Sequence, residues 1–187
     1  MNFNSFFDYE HNDITAIKMQ EFCLLSSPED PKQMQLLKEK TPARIGMGHC
    51  GARYPTASYL RFRADQAAAA DAVFAEVDSE LVKELGLFEV RTRCENKHMM
   101  LTRPDLGRLF DDETQKLISE RCRHDVDVEI YVGDGLCAPS VGANVPDILP
   151  AVTKELEAEG VTVGTPFFVR YCRVNTARTI APLLNSK

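Results

Sequence analysis

Three glycines near residue 50 have the spacing of a phosphate-binding loop. Gly46, Gly48 and Gly51 match the pattern G-x-G-x-x-G, in which glycines let the backbone wrap a pyrophosphate at a helix N-terminus. In dinucleotide-binding proteins that motif follows a buried strand, and an acidic residue that binds the ribose lies about 20 positions after it. Here residues 40–42 leave no room for the strand, and Asp71 lies inside a predicted helix. A stand-alone nucleotide-binding domain therefore stays open as an alternative, but the pattern favours a flexible glycine loop that docks onto a partner.

The histidines and cysteines predict no metal centre and no nucleophilic triad. Adjacent side chains such as His49 and Cys50 cannot usually both turn onto one metal ion, and no C-x-x-C pair occurs. The four histidines are too scattered to argue a Ser-His-Asp arrangement. We expect reduced, partly buried thiols at all six cysteines: Cys23, Cys50, Cys94, Cys122, Cys137 and Cys172.

The turn Gly133-Asp134-Gly135-Leu136 directly follows a predicted strand. In open α/β sheets, ligands bind outside the carboxyl ends of the strands, so Asp134 and Gly135 are candidate neighbours of a ligand. A purely structural turn would have the same sequence, and that interpretation stays open. Arg170 and Arg173, near the next strand end, are expected to pair with acidic groups rather than to take part in chemistry.

Length and composition indicate a globular protein with one domain and a tail, or two small domains. The 187 residues are 44% hydrophobic and 27% charged, which is typical of chains that bury a core. The 22 basic and 28 acidic residues give a net charge of −6 without any basic run, which argues against nucleic acid as a partner. No stretch reaches the ~20 apolar residues of a membrane helix, and the first residues are unlike a secretory signal. We therefore expect a cytoplasmic protein that does not enter the membrane.

Residues 1–40 are predicted to form an N-terminal extension that is partly helical or disordered. Asp30 and Pro31 are typical of a helix start, as N-cap and first helical residue, and Pro42 marks the stop. The preceding apolar residues have weak helical spacing and could fold against a partner surface: Ile14, Ile17, Met19, Phe22 and Leu25.

From residue 41 to residue 187, helix and strand signals alternate. Helices are predicted at residues 56–74, 79–86, 111–123, 149–156 and 175–184, and strands at residues 88–94, 126–132 and 167–172. Crossovers of this length make right-handed β-α-β units. The predicted fold class is α/β: an open, mostly parallel, Rossmann-like sheet with flanking helices. Three strands are few for such a sheet, so the domain looks incomplete at its C-terminus.

Two long stretches carry the most specific sequence signal. They are LTRPDLGR at residues 101–108 and VGTPFFVRY at residues 163–171, supported by shorter stretches such as TPARIG from Thr41 and DGL from Asp134. In this order they closely resemble the small (light) subunit of ethanolamine ammonia-lyase. The resemblance covers roughly residues 41–174, which is most of the chain.

The resemblance implies an accessory subunit of an adenosylcobalamin-dependent lyase that converts ethanolamine to acetaldehyde and ammonia. In that family the catalytic groups lie in the large subunit, so no catalytic residue is assigned here. The small subunit covers the corrin at the interface of a hetero-oligomer. The valine of the family's R-Y-x-R-V segment, a cofactor contact, falls on Val174, and Asp134 and Gly135 lie in the matching D-G-L turn.

The sequence departs from the family pattern in several places. Cys172 stands where the family usually has Gly, and His49-Cys50 where it usually has Arg-Ala. The family continues past residue 187 with a further strand and a cofactor loop, so we expect a C-terminally truncated subunit with reduced stability and cofactor affinity. The main alternative is an interaction remnant that does not bind cobalamin. The N-terminal region also resembles the leader that places this subunit in a bacterial microcompartment.

Overall fold

The structure is a computed structural model that describes residues 14–186. The chain divides into two compact units, one ending at Ala70 and the other beginning at Asp71. Within residues 14–186, no helix is long and apolar enough to cross a membrane. Predictions for residues 1–13 and for Lys187 lie outside the described residues.

The first unit contains two 3₁₀ turns, Ile14–Ala16 and Met19–Glu21, followed by helix α1 (Pro31–Glu39) and by most of helix α2 (Thr56–Phe74). Asp30 caps α1 as predicted, because its Oδ1 accepts hydrogen bonds from the backbone N–H groups of residues 32 and 33 at 2.9 and 3.0 Å. The small apolar core is formed by Met19 and Ala57, with four partly buried residues packed against them: Ile17, Phe22, Leu24 and Met47.

Two buried cations fasten the N-terminal turns to this unit. The Lys38 ammonium is 2% exposed and donates to the backbone carbonyls of Met19, Phe22 and Ile45. Burial lowers the pKa of Lys38. Arg61 donates to the carbonyls of Thr15 and Ile17. Because these bonds join the N-terminal turns to α1 and α2, residues 14–40 fold as part of the first unit.

The second unit is built on a three-stranded parallel sheet. Its strands are β1 (Phe88–Arg91), β2 (Tyr131–Gly133) and β3 (Phe167–Arg170), in the spatial order β1-β3-β2. The register sets Phe167 of β3 beside Phe88 on one side and Tyr131 on the other. All four residues of β3 are buried. This confirms an α/β chain with an open, parallel sheet.

Helices pack on both faces of the sheet because side chains alternate along β3. They are α3 (Ser79–Glu84), α5 (Asp112–Arg121), α6 (Ala138–Ala158) and α7 (Ala177–Leu184). A further helix, α4 (Lys97–Thr102), belongs to a separate apolar cluster with Tyr171, the residue that follows β3. Phe167 and Val169 belong to one apolar cluster with Ile118 of α5 and Ile180 of α7. Phe168 belongs to another with residues of α3 and α6, including Val82 and Val141.

Local capping explains why the helices were predictable. Asp78 accepts from the backbone N–H of residue 80 at 2.9 Å to start α3, and Asp111 accepts from that of residue 114 at 2.8 Å to start α5. Gly86 follows α3 in the left-handed region, at φ +69°. These contacts confirm the predicted starts of both helices and the stop after α3.

The strands and α6 differ from their predicted bounds. Pairing with β3 limits β1 to Phe88–Arg91, and the second strand, predicted at residues 126–132, is found at Tyr131–Gly133. Earlier in that segment, Val128 makes a single parallel bridge to Val163. Helix α6 starts eleven positions before residue 149 and contains Pro146 and Pro150 in its interior.

A carboxylate before β2 gives a pH-dependent prediction for stability. Glu129 lies against Gly164, where an added Cβ would be 2.0 Å from Oε2, and burial raises the pKa of Glu129 from 4.5 to about 7. The folded state therefore holds this proton at pH values where the unfolded chain has lost it. Its contribution to stability is full below pH 4.5 and is lost as the pH rises through about 7.

We expect Glu129→Gln to remove this pH dependence. The free energy of unfolding of the variant, relative to the natural chain, should rise between pH 4.5 and 7 by roughly 1–2 kcal/mol. This is less than a fully buried site would give, because solvent screens a partly exposed group. Urea unfolding across that pH range measures the difference. An unchanged difference at every pH would contradict the assignment.

Candidate functional site

The turn after β2 is tied to the end of β3 by a buried carboxylate. Asp134 is completely buried, and its Oδ1 accepts the backbone N–H of Tyr171 at 2.7 Å. Burial raises the pKa of Asp134, while the neighbouring Lys97 charge lowers it. The sequence predicted that Asp134 lies at the carboxyl end of a strand, and the structure places it there with its side chain turned into the protein.

Lys97 of α4 closes the other side of this carboxylate. Its Nζ donates to the backbone carbonyl of Asp134 at 2.9 Å and lies 3.3 Å from Oδ2 as an ion pair. The lysine is 4% exposed. Sequence reasoning missed both α4 and Lys97. The one local signal was Asn96, which caps α4 by accepting from the N–H of Met99 at 2.9 Å.

At the end of β3 the backbone turns sharply. Tyr171 has φ +56°, a left-handed conformation that costs free energy in a non-glycine residue. Its carbonyl accepts the Thr92 hydroxyl at 2.9 Å, and its own hydroxyl donates to Glu76 at 2.9 Å. Together with the bond to Asp134, these contacts hold the turn from both its backbone and its side chain.

The two arginines beside this turn have different partners. Arg170 is 9% exposed and forms a bidentate pair with Glu89, at 2.6 Å from Nε and 2.7 Å from Nη2. This confirms the acidic partner predicted for Arg170. The same prediction is wrong for Arg173, which donates to the backbone carbonyl of Met100 at 2.8 Å, because α4 ends close to this side chain.

The two most specific sequence stretches meet at this point. The carbonyl of Gly107, in the first stretch, accepts the backbone N–H of Arg173 at 2.8 Å and the hydroxyl of Thr176 at 3.0 Å. An added Cβ on Gly107 would lie 3.0 Å from Arg173 Cγ and 3.3 Å from the Tyr171 carbonyl oxygen. The close approach of these two backbones therefore favours a glycine at 107.

Three residues next to these contacts form what we call the carboxyl edge: Gly135, Leu136 and Val174. Val174 is 90% exposed and Leu136 is 50% exposed. The backbone of Val174 is nonetheless fixed, since its carbonyl accepts the Tyr131 hydroxyl at 3.0 Å. Among residues 14–186, an added Cβ on Gly135 would come within 4 Å of a single atom outside its chain neighbours, the Cys172 carbonyl oxygen at 3.9 Å. The carboxyl edge thus presents accessible apolar surface on a fixed backbone.

Below the carboxyl edge, a thiol fills the space beside Gly133. Cys172 Sγ lies 2.0 Å from the position that an added Cβ on Gly133 would take. Cys172 is buried, and burial raises the pKa of this thiol. The glycine at 133 and the cysteine at 172 therefore fit each other as a pair.

The glycine loop near residue 50 serves the first unit itself. Gly46 and Gly48 have φ values of +74° and +70°, and an added Cβ on Gly48 would lie 2.9 Å from the Leu24 carbonyl oxygen. The Leu24 N–H donates to the Gly46 carbonyl at 2.8 Å. Residues 41–49 form no strand. The loop therefore lacks the strand-loop-helix context that dinucleotide binding requires.

The cysteines are free, with Cys94, Cys122 and Cys172 buried and Cys23, Cys50 and Cys137 exposed. This confirms partly buried thiols. In the part of the chain that the structure describes, no group of three or more His, Cys, Asp or Glu side chains is arranged to hold a metal ion. His49 and Cys50, which the sequence singled out, are both exposed.

Comparison with known proteins identifies one family. The profile of the ethanolamine ammonia-lyase light chain (EutC) matches residues 31–187. Curated relatives named ethanolamine ammonia-lyase small subunit include one from Clostridium perfringens, 46% identical over 162 residues, which are 87% of this chain and 55% of that protein. Another, from Fusobacterium nucleatum, is 40% identical over 94% of this chain and 60% of that protein. A third, from Clostridium tetani, is 45% identical over 90% of this chain and 57% of that protein. The chain spans little more than half the length of these relatives.

The contact between Gly133 and Cys172 predicts that a substitution at Cys172 compensates for the destabilising effect of a substitution at Gly133. Gly133→Ala places a methyl group on the thiol and should lower the free energy of unfolding by about 1–3 kcal/mol. Adding Cys172→Ala removes Sγ and leaves Cβ at 3.6 Å, so much of the loss should be recovered. Chemical denaturation of the single and double variants measures this coupling.

Gly142→Ala is the matched control for this pair, because its added Cβ meets only Leu81 Cδ2 at an ordinary 3.5 Å. Additive effects of Gly133→Ala and Cys172→Ala, with no recovery in the double variant, would show that the two positions do not share this space.

Proposed function

Since the chain belongs to the ethanolamine ammonia-lyase light chain family, we propose that it acts as the small subunit of an adenosylcobalamin-dependent ethanolamine ammonia-lyase. In this proposal the enzyme converts ethanolamine to acetaldehyde and ammonia. The chain joins a catalytic large subunit in a hetero-oligomer and helps to bind and shield the cofactor at their interface. It supplies no catalytic residue.

The observation that carries the proposal is the carboxyl edge. Ligands of open α/β sheets bind beyond the carboxyl ends of the strands, and this is where Val174 is 90% exposed. A large, flat and partly apolar ring system needs accessible apolar side chains and close backbone approach, which Val174 and Gly135 offer. The residues at this edge therefore fit the cofactor. When bound, adenosylcobalamin supplies radical chemistry through homolysis of its cobalt–carbon bond.

The three residues singled out from the sequence take different roles in this proposal. Val174 and Gly135 contact the cofactor directly, because both are accessible at the carboxyl edge. Asp134 is completely buried, so it positions the turn that carries Gly135 and does not itself touch the ligand. We extend the proposal to a Rossmann-like arrangement, for which the parallel order β1-β3-β2 is the support.

A second candidate function is an interaction remnant that holds the large subunit without binding cobalamin. It is favoured by three exposed aromatic side chains in the first unit: Tyr54 at 71%, Tyr59 at 53% and Phe62 at 56% exposure. Tyrosine is enriched in the energetically important centres of protein interfaces. The nucleotide-binding alternative has no comparable support, since the glycine loop lacks its flanking strand.

The proposal predicts that a charge at the carboxyl edge weakens cofactor binding. In the complex with the large subunit, Val174→Glu should raise the Kd for adenosylcobalamin about tenfold or more, the effect of losing one buried valine contact. Spectral titration of the cofactor measures the Kd. The fold should be unaffected because the side chain is exposed.

Val152→Glu is the matched control, because Val152 is 43% exposed on α6, away from the carboxyl edge in sequence. This substitution should leave the Kd unchanged. An equal Kd for Val174→Glu and the natural chain would count against cofactor binding at this edge. If neither protein binds cobalamin while the large subunit is retained, the interaction remnant is the correct function.

We also propose that the subunit is cytoplasmic and is directed to a bacterial microcompartment by its N-terminal region. A fluorescent protein fused to residues 1–30 should form puncta in a compartment-forming cell and stay diffuse in a cell that lacks compartments. The same fusion with Ile17→Asp and Phe22→Asp tests whether apolar residues carry the signal. A diffuse distribution in both cell types would overturn this localisation.

A further inference from the structure

We propose that Lys97 is a positioning residue of the carboxyl edge, and that α4 acts as a strut that fixes the separation of Gly135 from Val174. This inference rests on the proposed function for what the edge binds. It concerns a residue outside the matching motifs, on a helix that sequence reasoning did not predict. Two sets of contacts, one at each end of α4, carry it.

At its first residue, α4 holds the turn after β2. Lys97 Nζ donates to the backbone carbonyl of Asp134 at 2.9 Å, and Asp134 is followed directly by Gly135. A bond to the backbone carbonyl fixes the peptide plane between residues 134 and 135. The position of Gly135 is therefore set by Lys97 more directly than by any side chain of the turn itself.

Near its other end, α4 holds the segment after β3. The carbonyl of Met100 accepts from Arg173 Nη2 at 2.8 Å, and Arg173 is followed directly by Val174. Met100 itself is completely buried, so this end of α4 is anchored in the core. The six-residue helix Lys97–Thr102 thus contacts both segments that form the carboxyl edge.

A third contact closes the arrangement into a ring. Asp134 Oδ1 accepts the Tyr171 N–H at 2.7 Å, while its Oδ2 lies 3.3 Å from Lys97 Nζ. These contacts form a closed path. It runs from Lys97 to Asp134, from Asp134 to Tyr171, along the backbone to Arg173, and from Arg173 back to α4 at Met100. Removing Lys97 opens this ring at the end that carries Gly135.

A lysine suits this position because its ammonium group has to reach two specific acceptors, the backbone carbonyl and the side-chain carboxylate of Asp134. A buried ion pair seldom adds stability over apolar residues of similar size, but the loss of one partner leaves an uncompensated charge. A simple stabilising role could be filled by an apolar pair. A positioning role needs the hydrogen-bond donor that reaches the Asp134 carbonyl. A variant that keeps its stability but lacks this donor therefore distinguishes the positioning role from the stabilising role.

The test uses the full chain with Lys97→Met and with the double substitution Lys97→Met/Asp134→Asn. The single variant should unfold at a lower temperature because Asp134 loses its partner. The double variant removes the unpaired charge and keeps an acceptor for the Tyr171 N–H, so its unfolding temperature should recover. Lys116→Met is the matched control, since its pair with Glu120 is exposed and 3.8 Å long.

Amide hydrogen exchange, measured without any cofactor, reports directly on how firmly the backbone at Gly135 is held. In the double variant, exchange of the Gly135 amide, which donates to the Cys172 thiol, should be about three- to tenfold faster than in the natural chain, the loss expected for one hydrogen bond. Cobalamin Kd in the complex should rise by a similar factor. Natural exchange rates and a natural Kd, at a recovered unfolding temperature, would overturn the inference.

A second variant keeps the test decisive if the double variant fails to recover its stability. Arg173→Met opens the ring at the Met100 carbonyl without leaving a buried charge unpaired, and it should speed exchange of the residue 173 amide, which donates to the Gly107 carbonyl at 2.8 Å. Unchanged exchange there would contradict the strut. If exchange responds as expected but the natural complex binds no cobalamin, the proposed function fails and the positioning role stands.

Discussion

The burial of β3 between two parallel neighbours is the constraint on which the second unit depends. Its four residues are all buried, and the last of them is an arginine that is only 9% exposed. Burying such a group without partners costs several kcal/mol. Glu89 of β1 therefore forms a bidentate pair with Arg170. The Val77 carbonyl at 3.0 Å and the Ser79 hydroxyl at 3.2 Å accept its remaining donors. Pairing this one guanidinium fixes the start of α3 and the register of β1 together.

The same constraint shapes the carboxyl edge. Because β3 ends inside the protein, the chain has to turn at Tyr171 in a left-handed conformation and leave beside Gly107. The backbone groups released by the turn are satisfied by Thr92 and by Asp134. What remains at the surface is a short segment with a fixed backbone and an exposed valine. A rigid scaffold that presents accessible apolar side chains is the arrangement expected of a ligand-binding edge.

Helices α1, α3 and α5 could be predicted from the sequence because their signals are local. Asp30, Asp78 and Asp111 each cap a helix within three residues of themselves. Strand ends could not be predicted, because pairing with β3 decides where β1 and β2 stop. The site divides in the same way. Val174 could be singled out from the resemblance between motifs. The burial of Asp134 could not be predicted, because it depends on a contact with Lys97, which lies 37 positions away in the sequence. No local pattern encodes such a contact.

We propose that this chain works as a small subunit, with its partner and its cofactor. The most direct measurement is co-purification: the tagged chain is expressed with an ethanolamine ammonia-lyase large subunit, and adenosylcobalamin and ethanolamine are added. We expect the large subunit to be retained, and ammonia to be released only when chain, partner and cofactor are all present. A soluble chain that retains no large subunit and supports no ammonia release would contradict it.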